Sequence, residues 1–263
     1  MNRREGVPLP NRCDFHFVKV FKLRMFLPMS EKVRNMFSQI SPRYDLANTL
    51  LSFGSHYRWR RKAVQLTNPP VGGKLLDLAC GTGDFAIAFA RAFGKKGSVI
   101  ATDFSEEMLQ YAQAKIHGYN ISLELADAMH LPFDSNMFDV CSIAFGIRNV
   151  DDPVAALREM NRVVKPNGKI VVLEFGQPRG FFGKMYRLYS RHWIPVMGGI
   201  ITGNKHAYSY LQKTSADFPC GERFAALMKR AGIDHVQTKK LLFGAVYIYV
   251  GKKTEYSLLE DLK

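Results

Sequence analysis

"LLDLACGTGDFAIAF", residues 75–89, is the stretch that decides the fold. It opens as a short apolar strand, passes through Gly81 and Gly83, and continues with apolar residues at helical spacing. A strand that turns into a helix through glycines leaves bare backbone at the turn, where a ligand can approach closely. The rhythm repeats downstream. "KLLDLAC" (74–80), "SVIATDF" (98–104), "SLELADA" (122–128), "FDVCSIAFG" (138–146) and "GKIVVLEFG" (168–176) read as strands. "DFAIAFARAF" (84–93), "SEEMLQYAQAKI" (105–116) and "DDPVAALREMNRVV" (151–164) read as the helices between them, the last with Asp152 as N-cap and Pro153 in its first position. After a helix in "GERFAALMKRAG" (221–232), "HVQTKKLLF" and "AVYIYVGKK" follow around Gly244 with almost no gap. Strands so close pair antiparallel, because a parallel crossover needs about a dozen residues or more. The expected fold is α/β: a doubly wound, mostly parallel, seven-stranded Rossmann-like sheet ending in an antiparallel hairpin.

Composition bounds the function. A chain of 263 residues makes one large domain or two small ones, and its 47% hydrophobic and 23% charged residues are those of a globular protein. The net charge of +14 points to an acidic partner: nucleic acid, an anionic membrane surface or a negatively charged ligand. Cys13, Cys80, Cys141 and Cys220 form no CxxC pair and have no histidine cluster, so they read as free thiols in a reducing compartment, with no metal expected. No apolar run of about 18 residues exists to span a membrane. Residues 1–28 form a basic extension without a secretory pattern. They read as a disordered tail or as translation from upstream of a start at Met25 or Met29. A mitochondrial transit peptide is the other reading, and would place the protein in the matrix. The remaining segments are 29–73 ahead of the sheet, 74–253 as the core and 254–263 as a tail.

The glycine loop admits two cofactors. Asp103 lies twenty residues beyond Gly83 at the end of the next strand, placed to accept hydrogen bonds from a ribose diol. A dinucleotide would set its pyrophosphate at the helix N-terminus, and Gly81-x-Gly83-x-x-Ala86 satisfies a relaxed fingerprint. S-adenosylmethionine would set its amino-acid end there instead. Two acids favour it: Asp84, where a pyrophosphate would lie, and Asp77 at the loop. S-adenosylmethionine has no phosphate and carries a sulfonium and an ammonium. Asp84 also reads as a plain helix N-terminal charge. Asp127 and Ala128 end the third strand, where an acid or carbonyl would accept from an adenine amino group.

At these positions the chain looks like a class I S-adenosylmethionine-dependent methyltransferase. More specifically, "RYDLANTLLSFGSHYRWRR" (43–61), "DAMHLPFDSNMFD" (127–139), "IAFGIRNV" (143–150) and "YSYLQKTSADFP" (208–219) resemble the ubiquinone/menaquinone biosynthesis C-methyltransferase family, over roughly residues 30–253. The glycine loop is common to many methyltransferases, whereas the segments at 43–61, 143–150 and 208–219 are specific. The resemblance implies C-methylation of a polyprenylated quinol ring, demethylmenaquinol to menaquinol in the first place. The alternatives are 2-polyprenyl-6-methoxy-1,4-benzoquinol in ubiquinone biosynthesis, or another lipid or small molecule. It further implies that Thr82, Asp103, Asp127 and Ala128 contact the cofactor, that 29–73 forms a helical lid carrying Tyr44 and Asp45, and that Tyr44 and Tyr208 are on the substrate side. Ala144 stands where some members have a serine.

"IAFGIRNVDDP" (143–153) delivers Arg148 and Asn149 at the mouth of an apolar strand. An aromatic carbon becomes nucleophilic when a neighbouring hydroxyl loses its proton. Arg148 would stabilise that oxyanion, being too basic for an ordinary base, and Asn149 would bond the ring oxygen or fix Arg148. The plain alternative is a turn, with Arg148 pairing with Asp151 or Asp152. His130, His192, His206 and Tyr208 are further candidate bases, and Glu174 either faces the pocket or pairs with a basic neighbour. Residues 177–216 hold six Arg/Lys, no acid and several aromatics, including the apolar run "WIPVMGGII". That composition suits a greasy substrate and an anionic membrane surface more than nucleic acid. The expected protein is peripheral, on the inner face of a membrane and otherwise cytoplasmic. Other quinone-biosynthesis enzymes are candidate partners, and a homodimer is allowed but not required. A non-catalytic scaffold would show a broken glycine loop, and here the loop is intact. A nicotinamide-dependent reductase is the remaining rival, separable by nicotinamide binding.

Overall fold

In the computed structural model the sheet forms around the strand that leads into the glycine loop, Lys74–Leu78 (β1). Residues 31–254 are described, so the expectations for the basic extension and for the tail beyond Thr254 lie outside the described residues. The strands that follow are Ser98–Asp103 (β2), Ile121–Leu125 (β3), Phe138–Ala144 (β4), Val164–Phe175 (β5), Asp234–Leu241 (β6) and Val246–Lys252 (β7). They form one sheet in the order β3-β2-β1-β4-β5-β7-β6. The first five pair in parallel, and β7 runs antiparallel to both β5 and β6. The strand order reverses between β1 and β4, and a ligand crevice is expected outside the carboxyl ends of strands at such a point.

Near-continuous burial along the central strands β1 and β4 and the second half of β5 shows that both faces of the sheet are covered. Leu75, Val171 and Leu173 belong to one buried cluster with Trp59, Ala63, Phe85 and Phe89. Leu76, Ile170 and Val172 belong to another with Leu157, Met160, Phe224 and Met228. The first cluster is closed by helices Ser55–Thr67 (α3) and Asp84–Phe93 (α4), the second by Pro153–Val163 (α6) and Glu222–Arg230 (α10). Glu106–Lys115 (α5) packs on β2 and β3.

Helix starts follow their caps. Ser105 accepts from the Met108 N–H at the start of α5. Asp152 accepts from the N–H groups of Val154 and Ala155 at the start of α6, with Pro153 in the first position as expected. Two boundaries differ from expectation. Strand β3 stops at Leu125, before the expected Asp127 and Ala128, which lie in a turn bridged to His130. Strand β5 begins at Val164, ahead of Pro166 and Gly168, because Val164 already pairs with Phe138 across a register shift.

Two helical layers surround the carboxyl ends of the strands. Ahead of the sheet come Glu31–Ile40 (α1), Tyr44–Leu51 (α2) and α3. After β5 come Gly180–Leu188 (α7), a π turn at Tyr189–Trp193, Ile194–Thr202 (α8) and Lys205–Asp217 (α9). Ile40, Ala47, Ala207 and Tyr208 form their shared core. Arg43 donates to the Ile201 carbonyl at 2.9 Å and Tyr189 to the Leu51 carbonyl at 2.7 Å, tying the two layers together.

Candidate active site

The glycine turn is held by positive φ at Ala79 (+47°), Gly81 (+56°) and Gly83 (+85°). A Cβ on Gly81 would sit 3.9 Å from the Tyr44 ring, an ordinary van der Waals contact, so α2 places Tyr44 directly over the loop. The Gly81 N–H donates to Asp103 Oδ2 at 2.8 Å and the Ser105 N–H to Oδ1 at 3.0 Å, fastening the loop to the end of β2. Burial pushes the Asp103 carboxyl up to about 6, against these bonds. Asp77 is 0% exposed. Its Oδ1 accepts from the Ser142 hydroxyl at 2.6 Å, while Oδ2 is buried without a partner among the described residues. Burial pushes this carboxyl up to about 7. A buried carboxylate oxygen left unbonded is costly, and a cationic ligand group would relieve that cost.

Helix α2 lies over this loop. The Thr82 hydroxyl donates to Asp45 Oδ1 at 2.5 Å, and Lys115 Nζ bridges Asp45 Oδ2 at 2.7 Å and Asp84 Oδ1 at 2.5 Å. The charge of Asp84 is therefore balanced. It does not repel a phosphate in the way the sequence argument required, so the case for S-adenosylmethionine stands without it. His56 is buried beside this network. Burial holds its imidazole down at about 4, so the ring is neutral. Its Nδ1 faces Arg60 NH1 at 2.6 Å and its Nε2 faces the Thr49 hydroxyl at 3.2 Å. A guanidinium only donates, which assigns Nδ1 as acceptor and Nε2 as donor.

The Arg-Asn pair occupies one 3-10 turn, Ile147–Asn149, after the end of β4. Arg148 pairs with neither Asp151 nor Asp152. Its NH1 donates to Glu174 Oε1 at 2.7 Å and to the Phe145 carbonyl at 2.5 Å. The two charged side chains are 4% and 2% exposed. Burial raises the Glu174 carboxyl, opposed by the Arg148 charge. Arg148 Nε, Glu174 Oε2 and Asn149 Oδ1 are buried without partners among the described residues. The Arg148 guanidinium lies 5.3 Å from the Phe175 ring centroid. Phe145 and Phe175 approach to 4.4 Å, with Trp59 at 6.2 and 6.5 Å from them and Arg60 over Phe145 at 5.6 Å. Phe145 takes φ +56° at the strand end. Burial raises the hydroxyls of Tyr44, Tyr186 and Tyr210, Tyr186 to about 12, and the Arg148 charge pulls each back down. Residues from α2, α7 and α9 thus converge on Arg148.

The other expected residues lie at varying distances from this centre. Asp127 Oδ1 accepts from the Met129 N–H at 2.9 Å, and Ala128 packs on the sheet core. Tyr208 is buried against Gly198 in the core shared by the helical layers, with burial raising its hydroxyl. His130, His192 and His206 are exposed at the surface.

The glycine turn thus lies at the switch point of the sheet, with a buried, aromatic-walled ion pair at the end of the adjacent strand. The model of the ubiE/COQ5 methyltransferase family matches residues 26–253. The chain belongs to the ubiE/COQ5 methyltransferase family. It is 50% identical to the ubiquinone/menaquinone biosynthesis C-methyltransferase UbiE of Bdellovibrio bacteriovorus, over 85% of this chain and 97% of that one. It is 39% identical to the demethylmenaquinone methyltransferase of Bacillus cereus, over 86% and 97%. In fold it resembles a possible histamine N-methyltransferase of Thermotoga maritima (TM-score 0.62, 22% identity, 84% of this chain and 100% of that one). It also resembles phosphoethanolamine N-methyltransferase 2 of Haemonchus contortus, solved with S-adenosylhomocysteine (TM-score 0.63, 14% identity, 85% and 60%). Members of the family use S-adenosylmethionine, and the unpartnered Oδ2 of Asp77 at the strand that leads into the glycine turn suits a group that carries an ammonium.

Several residues of this site escape a reading of the sequence. Trp59, His56 and Arg60 belong to a buried stripe on α3 at positions 56, 59, 60, 63, 64 and 67. That helical spacing within a basic segment is the signal that reveals them. Lys115 carries no signal at all, since it reaches Asp84 across 31 residues of chain.

Proposed function

We propose that this protein transfers a methyl group from S-adenosylmethionine to a ring carbon of a polyprenylated quinol, with demethylmenaquinol as the acceptor. The observation that carries the reading is the buried guanidinium of Arg148, held by Glu174 at 2.7 Å beside the Phe145–Phe175 pair. The guanidinium charge is paired with Glu174, but its buried Nε–H has no partner among the described residues and is a donor suited to an oxyanion on an aromatic ring. When bound, S-adenosylmethionine supplies an electrophilic methyl group. Asp77, Gly81, Thr82, Gly83, Asp103, Asp127 and Ala128 hold it. Arg148 favours the deprotonated ring hydroxyl, whose proton leaves to solvent. The oxyanion makes the ortho carbon nucleophilic, and that carbon takes the methyl group with release of S-adenosylhomocysteine. Loss of the proton on the methylated carbon, with reprotonation of the oxygen, restores the quinol. Asn149 offers its amide to the ring oxygen, and Tyr44 closes the site from α2. Glu174 acts through Arg148 as a positioning residue.

The Bacillus relative, named for demethylmenaquinone, supports the naphthoquinol. The Bdellovibrio relative, named for both quinones, keeps the benzoquinol as the second reading. Purified protein with labelled S-adenosylmethionine and each reduced short-chain acceptor separates them. Label in the naphthoquinol ring is expected. Label only in the benzoquinol would favour the second reading, and label in neither would refute both.

A further inference from the structure

The helical layer after β5 presents an apolar face that the active site does not use. Phe181, Met185, Leu188, Trp193, Val196 and Ile200 are all exposed, Phe181 by 79% and Ile200 by 69%. Their spacing follows one side of a helix running from α7 through the π turn into α8. The turn between β6 and β7 extends the face. Phe243, 71% exposed, rests on Phe182 with ring centroids 4.8 Å apart. Leu242 and Phe243 take positive φ of +45° and +54°, so the backbone holds two large apolar side chains outward in a conformation that such residues rarely adopt. Exposed Lys184, Arg187 and Arg191 alternate with the apolar positions, and no acid occurs from 177 to 216.

We propose that this face, α7 to α8 with the β6–β7 turn, docks on an anionic lipid bilayer. Phe181, Trp193, Ile200 and Phe243 enter the acyl boundary, and Lys184, Arg187 and Arg191 meet the headgroup phosphates. Apolar anchors beside an unbroken set of cations describe a helix lying in a membrane interface. A soluble protein partner would more often be met by charges of both signs. No helix among the described residues is long and apolar enough to cross a membrane, so the contact is peripheral. A cavity of about 410 Å3, lined by Leu188, Tyr189, His192 and Val196 among others, opens on the same face. Tyr189 ties it to the end of α2 through the Leu51 carbonyl.

Vesicle binding tests the proposal without any quinone, so its outcome is independent of the acceptor's identity. The protein has two tryptophans, and Trp59 is buried, so a change of emission on adding vesicles reports Trp193. Co-sedimentation is expected with vesicles of phosphatidylcholine and phosphatidylglycerol, and not with phosphatidylcholine alone. A blue shift of Trp193 and steep loss with salt should accompany it. Replacing Lys184, Arg187 and Arg191 by Gln together should weaken binding roughly a hundredfold, at about 1 kcal/mol per basic residue. Phe181→Asp with Ile200→Asp should abolish it while S-adenosylmethionine binding and the unfolding midpoint stay unchanged. Absence of binding to either vesicle, or variants that bind like the wild type, would overturn the proposal. So would a concentration-dependent dimer in vesicle-free buffer that the same Asp substitutions dissolve, since the face would then belong to a second copy of the chain.

Discussion

Removing either partner of the Arg148–Glu174 pair should destabilise the protein, but with opposite responses to pH. Both side chains are almost fully buried, and each loses its ion-pair partner among the described residues when the other is removed. Breaking such a pair costs about 3–5 kcal/mol. In a chain of this size that corresponds to a drop of roughly 6–20 °C in Tm, at about 2–4 °C per kcal/mol. The two halves then differ. Arg148 cannot shed its charge, and Glu174→Ala lacks the raised carboxyl that costs the wild type stability as pH rises, so its penalty against wild type should shrink from pH 5 to pH 8. Glu174 can take up a proton, and burial already raises its carboxyl above the ordinary value. Without Arg148 that carboxyl rises further. A carboxyl whose folded value exceeds its unfolded one binds more protons when folded, so stability falls as pH rises between the two values. The penalty in Arg148→Ala, measured against wild type at the same pH, should therefore be small near pH 5 and large near pH 8. Thermal and urea unfolding of both variants at the two pH values give the comparison. A Glu174→Ala cost below about 1 kcal/mol, or the same pH response in both variants, would refute the reasoning.

Asp77 supplies a second pH prediction. Its carboxyl is raised to about 7 by burial, so the unliganded protein should lose stability as pH climbs from about 4 to 7, and Asp77→Asn should remove that part of the loss. S-adenosylmethionine affinity should rise over the upper part of that range in the wild type, as the carboxylate forms, and calorimetric titration at several pH values would show it. Lys115→Met should leave Asp45 and Asp84 unneutralised, costing about 1 kcal/mol in stability and weakening cofactor binding by loosening α2. Gly198→Ala should push a Cβ to 2.2 Å from the Tyr208 ring, costing about 1–3 kcal/mol and disturbing the helical layers while the sheet persists, which hydrogen exchange resolves by element.

The core of this fold is legible because its signals are local. The glycine turn, the extent of α4, the Asp152 cap and the closing hairpin each declare themselves within about a dozen residues. Where the chain departs from expectation, a distant partner decides. Val164 joins the sheet because it meets Phe138, although Pro166, Asn167 and Gly168 read as a turn. Arg148 had two acids within four residues, yet its partner is Glu174 on the neighbouring strand, 26 residues away. Asp84 reads from the chain alone as a bare negative charge, because nothing local announces Lys115. The residue types of the site could be named from the chain; the pairings that set their charge could not.

The central claim is that Arg148 acts on the acceptor and not merely on the fold. Single-turnover methyl transfer to reduced short-chain demethylmenaquinol, in Arg148→Ala beside the wild type and under conditions where both are folded, tests it most directly. The account predicts a loss of at least about a hundredfold in the transfer rate, the scale expected when an oxyanion stabiliser is removed, with S-adenosylmethionine affinity retained. Transfer at the wild-type rate would contradict it, and would reduce the Arg148–Glu174 pair to a structural tie between two strand ends.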